Sequence, residues 1–507
     1  MSETNQHTVI IGSGAGGLVT GLLLARAGHR VTVLEKHKII GGCMQCFSRK
    51  GVKFDTGMHF IGSAMPGQSL YHIWNALGLN GRIPLAELDR KAYNTIHLRG
   101  EEFRMANTRE AFIEGFASRF PSERAGLEKY YDAVQAVASA SMLSATDVSS
   151  SKLDSLLRYQ SVSIDGFIAG TISDSILREA LVGDLPLHAP RRGATPFAQH
   201  AFITDFYNRS SFRIIGGSDI IATTLASNIE SMGGRVITSA EVTSVKVADG
   251  MATGVEILTK DGDREFIAAD NVISDIHPAL LMDLVEPGAL RTVFRSRIKS
   301  MPNTSGSFCL YLIFREGTVP YEATNHFGYS PDVSPWDCEN YTAEDWPRGY
   351  LYMHQADKDA LNSGFARSAV VISFMHGSET EKWTRLPHHH RGEEYENFKA
   401  EKAEKLLARL TSDFPVLRDN IEYCEASTPA TFESYTGTPG GSLYGVVRDI
   451  HAGAAGRVPY RTRIPNLFLT GQNVNSHGIL GVSVGAVMTA SHLTGTPEII
   501  RILNSKF

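Results

Sequence analysis

Apolar positions first gather at Thr8 to Ile11, a β-branched run that stops at Gly12. A short run of this kind bounded by glycine reads as a buried strand. Leu18 to Ala27 predict a helix ended by Gly28, and Val31 to Leu34 predict a second strand closing on Glu35. Residues 68–135 read as mixed helix with a polar, amphipathic segment from Arg109 to Val137, and Leu153 to Ile203 as helices and turns rich in apolar and aromatic residues. After Arg213 the pattern predicts a helix over Ile220 to Ser231, then strand signals from Val236 to Asp270. Asp249-Gly250 and Asp261-Gly262 between them are hairpin dipeptides, so the signals describe a meander. Asn271 to Ser274 is one further strand, residues 305–315 and 368–376 are strands of a second sheet, and Tyr395 to Leu410 is a charged amphipathic helix. Near the end, Asn466 to Thr470 reads as a strand stopping at Gly471. A polar loop from Gln472 to His477 follows, and Gly478-Ile-Leu-Gly481 opens a helix of small and apolar residues.

Gly12, Gly14 and Gly17 complete a G-x-G-x-x-G fingerprint between the first strand and its helix. The first glycine permits the tight turn, the second lets backbone approach a pyrophosphate, and the third lets helix and sheet pack closely. Unpaired N–H groups at the helix start, over Ser13, Ala15 and Gly16, suit phosphate oxygens. Glu35 is placed to accept hydrogen bonds from a ribose, with Lys36 beside it. A dinucleotide cofactor is the expectation. Gly41-Gly42, with Cys43 directly after, suggests a second close backbone approach to the same ligand.

Flavin fits better than nicotinamide. A nicotinamide dehydrogenase would continue its fingerprint into a contiguous run of alternating strands and helices. This chain leaves for a helical region, returns with a meander, leaves again, and completes the first lobe at its C-terminus. The expected fold is α/β: a glutathione-reductase-like FAD-binding Rossmann lobe with a discontinuous mixed α+β substrate lobe. The boundaries expected are 1–67, 213–280 and 455–507 for the FAD lobe, and 68–212 (mostly helical) and 281–454 for the substrate lobe. In this scheme a helix starting near Gly481 aims its N–H groups at the flavin N1–C2=O edge. Gly471, Gln472, Gly481, Val482 and Val242 join the cofactor contacts.

With 507 residues the chain exceeds one hydrophobic core. A net charge of -5 argues against nucleic-acid binding. No apolar run is long enough for a membrane span. The first strand begins so early that no signal peptide is expected. Five scattered cysteines fit a reducing cytoplasm, with contact at the periphery of a membrane as the route to any lipid.

Gly12-Ser-Gly-Ala-Gly-Gly17, Gly41-Gly42, Phe54-Asp-Thr-Gly-x-His59-Phe-Ile-Gly62, Gly216-Gly217, Thr428-Pro-Ala-Thr431, Tyr435-x-Gly-x-Pro-x-Gly-Ser-x-Tyr444-Gly445 and Gly471-Gln472…Gly478-x-x-Gly481 together resemble the phytoene desaturase-like flavoproteins. The retinol saturase and carotenoid isomerase branch is the part of that family the chain is most similar to. The resemblance spans nearly the whole chain. It implies FAD and a reaction that saturates, desaturates or isomerises a carbon–carbon double bond of a lipophilic polyene or isoprenoid. Many members carry Arg directly after the Gly-Gly pair, where this chain has Cys43.

Flavin N5 carries the hydride chemistry, so the protein has to orient an alkene and manage a proton. His59, in a segment that passes beside the cofactor, is the leading proton-handling candidate and a cofactor contact. Its alternative is a structural histidine. Tyr435 and Tyr444 are further candidates for donating a proton or positioning substrate, against aromatic packing. Cys43 and Cys46 raise a disulfide-type flavoenzyme, yet no second fingerprint exists for a nicotinamide domain. An amine-oxidase-like enzyme and a flavoprotein whose FAD is structural are the other readings. His388-His-His390 reads as a solvated loop, and no metal site is expected. Electrons are expected from an external donor: a reductase, a quinone or NAD(P)H.

Overall fold

The computed structural model describes residues 6–140, 150–388 and 390–507. The first apolar run forms the strand His7–Ile11, every residue of it buried. Strands covered on both faces belong to parallel sheets, where alternation gives way to continuous apolar sequence. This one lies at the centre of a five-stranded sheet in the order Arg235–Ile237, Arg30–Leu34, His7–Ile11, Asn271–Ser274, Leu467–Leu469. All four pairings are parallel, and Val9 sits between Thr32 and Val272. Segments from the beginning, middle and end of the chain thus build one sheet. The fingerprint helix Ala15–Arg26 packs against the helices Gly478–Thr494 and Asp219–Ser231 through Leu18, Leu22, Ile229 and Ala486.

The meander Glu241–Ala248, Met251–Leu258, Arg264–Ala268 is an antiparallel three-stranded sheet. Asp249 and Gly250 turn it with φ of 51° and 75°, the two left-handed positions that a tight hairpin needs.

The remaining chain forms a seven-stranded sheet in the order Ile421–Ser427, Gly306–Phe314, Ser368–Met375, Gly349–His354, Asn325–Tyr329, Asn94–Leu98, Glu101–Met105. Its two last strands correct the expectation of mixed helix for residues 68–135. Asn94–Leu98 and Glu101–Met105 make a hairpin about Arg99 and Gly100, and the first of them pairs in parallel with Asn325–Tyr329. Periodicity concealed it because Asn94 and Thr95 are buried polar residues. Asn94 is held across the sheet by the Asn325 amide at 3.0 Å rather than by apolar packing. Buried Arg213 fastens the sheet from beside it, donating to the carbonyls of Glu322 (2.8 Å) and Thr324 (2.5 Å) and to Asn325 Oδ1 (3.1 Å). Helices from Arg109 to Arg209 close over the sheet around Phe112, Phe116, Tyr130, Ile168 and Phe197. Among the described residues no helix is long and apolar enough to cross a membrane.

Candidate functional site

One cavity of about 1300 Å³ runs from the carboxyl ends of the parallel strands to the face of the seven-stranded sheet. The dinucleotide end is built first. Gly12, Ser13, Gly14, Ala15 and Gly16 line it, with Glu35, Lys36, Gly42, Cys43 and Val242. Ser13 is the hub. Its N–H and hydroxyl donate to Glu35 Oε2 at 3.1 and 2.6 Å, and its carbonyl accepts the Gly41 N–H at 3.1 Å. The two glycine turns are therefore joined through one serine to the acid. Glu35 Oε1 takes the His37 N–H at 2.9 Å, and a carboxylate with further lone pairs retains room for a ribose. Lys36 is exposed at the rim.

Gly17, Gly41 and Gly471 do not line the cavity but stand behind its wall. A Cβ on Gly17 would meet the Gly12 carbonyl oxygen at 2.2 Å, so this position serves helix-to-strand packing. At Gly14 a Cβ would meet Asp275 Oδ2 at 2.6 Å. Asp275 was not among the sequence candidates. It follows the strand Asn271–Ser274 and turns its carboxylate into the glycine loop, where burial, with repulsion from Glu35, raises its pKa to about 7. The sequence shows an acid directly after a strand, but only the fold shows that this strand pairs with the fingerprint strand.

Residues 46–59 explain the more specific part of the Phe-Asp-Thr-Gly-x-His motif. Phe54 packs with Phe47 and Tyr311. Asp55 Oδ1 accepts the Ser218 N–H and hydroxyl, both at 2.7 Å, and pins the Gly216-Gly217 turn. Thr56 donates to the Gln45 carbonyl at 2.8 Å. These contacts deliver His59 to the cavity, where neither ring nitrogen has a partner although both are buried. Burial lowers the His59 pKa, with Asp55 opposing and Arg213 assisting, so the ring is neutral at pH 7.

The C-terminal helix begins at Gly478, the first residue of the expected Gly478-Ile-Leu-Gly481 opening and three residues before the Gly481 expected at the flavin. Its unpaired N–H groups therefore include those of Gly478, Ile479 and Leu480, all on the cavity wall. Gly481 and Val482 also line the wall, but a Cβ on Gly481 would strike Ser476 Cβ at 2.7 Å. Gln472 lines the cavity through the loop that precedes this helix. His477, at the end of that loop, was missed. Its ring lies 4.4 Å from that of Tyr444, and Nε2 meets the Leu187 carbonyl at 3.2 Å. Burial takes its pKa down to about 4. Tyr444 lines the cavity too, with its hydroxyl donated to the Pro186 carbonyl at 2.8 Å, an anchored ring rather than a free proton donor.

Tyr435, the other tyrosine candidate, lines the same cavity. Its carbonyl accepts from His37 Nε2 at 3.0 Å, it is 42% exposed, and its ring rests against His388 at 4.8 Å. This contact ties it to the residues that follow Glu35. The Thr428-Pro-Ala-Thr431 segment is also architectural: Thr428 and Thr431 form a capping box for the helix Pro429–Thr436. His389 lies outside the described residues. Cys43 and Cys46 are both free thiols with different neighbours. Cys46 Sγ donates to Asp55 Oδ1 at 3.3 Å, and burial beside that acid pushes its pKa to about 12. Cys43 opens onto the cavity, and withdrawal from bulk water next to Asp275 pushes it to about 11. Thiols this weakly acidic are poor redox nucleophiles, so the disulfide reading is not favoured.

The other end of the cavity is apolar. Phe202, Ile203, Phe206 and Tyr207 come from the helix Phe197–Arg209, and Cys309, Leu351 and Ile372 from the sheet. Gln199, on the same helix, is a polar exception that was missed, and its Oε1 is buried without a partner.

Residues 15–490 match the family model described as flavin containing amine oxidoreductase. The chain belongs to this family. Among curated relatives of this flavoprotein, all-trans-retinol 13,14-reductase of Homo sapiens is 27% identical, over 95% of this chain and 84% of that protein. Prolycopene isomerase 2, chloroplastic, of an Oncidium hybrid cultivar is 25% identical, over 95% and 82%. A solved oxidoreductase from Methanosarcina mazei shares the fold with a TM-score of 0.60 at 16% identity, covering 95% of this chain and 99% of that one. The flavoprotein is an oxidoreductase, and its cofactor is FAD. The residues fit that cofactor. Glycine backbone and a helix start are placed for a pyrophosphate, an acid for a ribose, and a second helix start with an orphaned histidine stands farther along the same cavity.

Proposed function

We propose that this flavoprotein saturates a carbon–carbon double bond of a lipophilic polyene or isoprenoid. Desaturation and isomerisation of the same class of bond are the reactions that share such a site. One observation carries the reading: the FAD end and a long apolar chamber form a single cavity, with His59 as a buried, unpartnered acid–base group in its wall. The names of the relatives, a retinol reductase and a prolycopene isomerase, support it.

In this assignment the segments 1–67, 213–280 and 455–507 hold the cofactor, and 68–212 and 281–454 hold the substrate. The N–H groups of Gly14, Ala15 and Gly16 would bind the pyrophosphate and Glu35 the ribose, and the N–H groups of Gly478 to Leu480 would be available to the flavin. FAD, when bound and reduced, supplies a hydride equivalent. Phe202, Ile203, Phe206 and Leu351 exclude water and align the chain of the lipid. Tyr444 and His477, anchored to the carbonyls of Pro186 and Leu187, hold one side of the chamber rigid. His59 handles the proton that must accompany the hydride. Burial disfavours its protonated form, so the ring must first take up a proton from solvent and, once protonated, gives it up more readily than a free imidazolium. A lipophilic substrate in turn places the protein at the periphery of a membrane or beside a carrier.

The test is anaerobic mixing of the reduced holoenzyme with a panel of polyenes and isoprenoids, followed by product mass analysis. A gain of two hydrogens with flavin reoxidation is expected. Loss of two hydrogens by the oxidised enzyme would identify a desaturase, and a new isomer of unchanged mass an isomerase. His59→Phe should retain FAD but slow reoxidation roughly 100-fold or more. Reoxidation at the parental rate would remove His59 from the chemistry.

A further inference from the structure

One stretch of surface gathers positive charge against the balance of the chain, whose net charge is -5. Arg158, Arg191, Arg192, Arg291, Arg297 and Arg457 come from separate parts of the chain, and none makes an ion pair among the described residues. Hydrogen bonds draw those parts together. Arg297 donates to the carbonyls of Ala455 (2.7 Å) and Arg457 (3.1 Å), and Arg457 donates to Gln160 Oε1 at 3.3 Å, just beyond Arg158. The His451 ring meets the Gly193 carbonyl at 3.0 Å, next to Arg192. The acids among them are turned to backbone: Asp165 Oδ1 accepts the Gly193 N–H and Asp449 Oδ1 the His451 N–H, both at 2.7 Å. This basic rim surrounds an opening. Leu156, Gln160, Gly453 and Arg457 line the cavity, and the last two are exposed. Apolar groups stand out from the same rim: Val293 is 81% and Leu157 55% exposed, with Ala452, Ala454 and Ala455 exposed between them in the chain's turn at Gly453.

We propose that this rim docks on a membrane surface carrying anionic lipid headgroups, so that the cavity opens onto the bilayer. Charges spread over several segments suit a field of many headgroups rather than one bound anion. Val293 and Leu157 enter the interface between the headgroups, as the apolar side chains of an interfacial surface do. The inference rests on the lipophilic reading of the cavity: a lipid then passes from bilayer to chamber without crossing water.

Sedimentation of the holoenzyme with vesicles tests this apart from turnover. Vesicles of phosphatidylcholine mixed with phosphatidylglycerol should bind it, and vesicles of phosphatidylcholine alone only weakly. Binding should weaken as salt rises from about 0.1 to about 1 M, which shortens the screening length from about 10 to about 3 Å. Each arginine near an anionic surface contributes about fivefold in affinity, so Arg158→Gln, Arg192→Gln and Arg291→Gln together should weaken binding roughly 100-fold. Those side chains are exposed and make no hydrogen bond among the described residues, so the variant should fold and keep FAD. Lys50→Gln, Lys260→Gln and Lys506→Gln make the same change of net charge at exposed positions of other segments and should leave binding intact. Val293→Trp should add emission that brominated phosphatidylcholine in the anionic vesicles quenches. Equal binding to neutral vesicles, equal loss in both triple variants, or no quenching at position 293 would overturn the proposal. A rim that serves an acidic carrier protein instead would ignore vesicles of either kind, which also overturns it. Flavin reoxidation is read separately. Docking as expected with no reoxidation by any vesicle-borne lipid would leave the rim assigned and refute the redox reading instead.

Discussion

The acids at the glycine loop carry two opposite duties. Glu35 must stay charged to hold Ser13, His37 and a ribose, whereas Asp275 lies where added negative charge would oppose a pyrophosphate. Burial resolves the conflict by raising the Asp275 pKa to about 7, so the carboxyl is largely protonated below neutrality. The sign for FAD binding follows. Below pH 7 the loop is free of the extra charge and affinity is level. Above pH 7 the free protein loses the Asp275 proton, binding has to recover it, and affinity falls by about tenfold per pH unit at most. Asp275→Asn should flatten this profile between pH 6 and 9 in an FAD titration. The neighbouring Cys43 thiol, with its pKa of about 11, does not titrate in that window. A slope that survives in the variant would assign the effect elsewhere. Glu35→Ala acts on the same loop in the opposite sense. It removes the acceptor for three donors as well as the ribose contact, and FAD affinity should drop roughly 10- to 100-fold. Full FAD occupancy at limiting cofactor would show that the acid does not hold the ribose.

At the scale of elements, the segment 442–448 and the loop 472–477 are locked to each other. Asn473 Oδ1 accepts the Val446 N–H at 2.9 Å, and Arg448 donates to the carbonyls of Asn473 (3.0 Å) and Asn475 (2.7 Å). Gly445, at φ 68°, leaves the space that Asn473 enters, since a Cβ there would lie 2.0 Å from Oδ1. Gly445→Ala should therefore displace Asn473 and with it the neighbouring Tyr444 and His477. The expected outcome is FAD retained, thermal stability lowered by about 1–3 kcal/mol, and lipid turnover lost. Normal turnover in this variant would show that the lock is dispensable. Such brackets also explain what the sequence made readable. The strand–glycine–helix start, the meander and the closing strand were legible because their signals are local. Asp275 was not, because its significance depends on what lies opposite it across a long stretch of chain. Tyr435 and Tyr444 are close in sequence and line the same cavity, yet the helix Pro429–Thr436 sets the first beside His37. The hairpin at 94–105 hid behind buried polar residues whose partners are more than two hundred positions away.

At the scale of the whole molecule, the parallel sheet presents one glycine fingerprint and one large cavity at its carboxyl edge. A nicotinamide donor would have to enter that same cavity and leave before the lipid arrives, which is ping-pong behaviour. The chamber beside the flavin end is lined by Phe202, Ile203, Phe206, Leu351 and Ile372, and these offer nothing for the phosphates of a second dinucleotide. Arg448 and Arg457 line the cavity as well, but the first guanidinium is engaged with the carbonyls of Asn473 and Asn475 and the second donates to Gln160 Oε1 at 3.3 Å. Electrons are thus expected from a separate reductase, a quinone or a reduced flavin. Anaerobic mixing of the oxidised holoenzyme with NADH and with NADPH should leave the flavin absorbance intact over seconds, while dithionite bleaches it. Lipid added after dithionite should then restore the colour. Rapid bleaching by either nicotinamide would show that the apolar chamber admits a dinucleotide after all, and lipid and nicotinamide should then compete for it in steady-state kinetics.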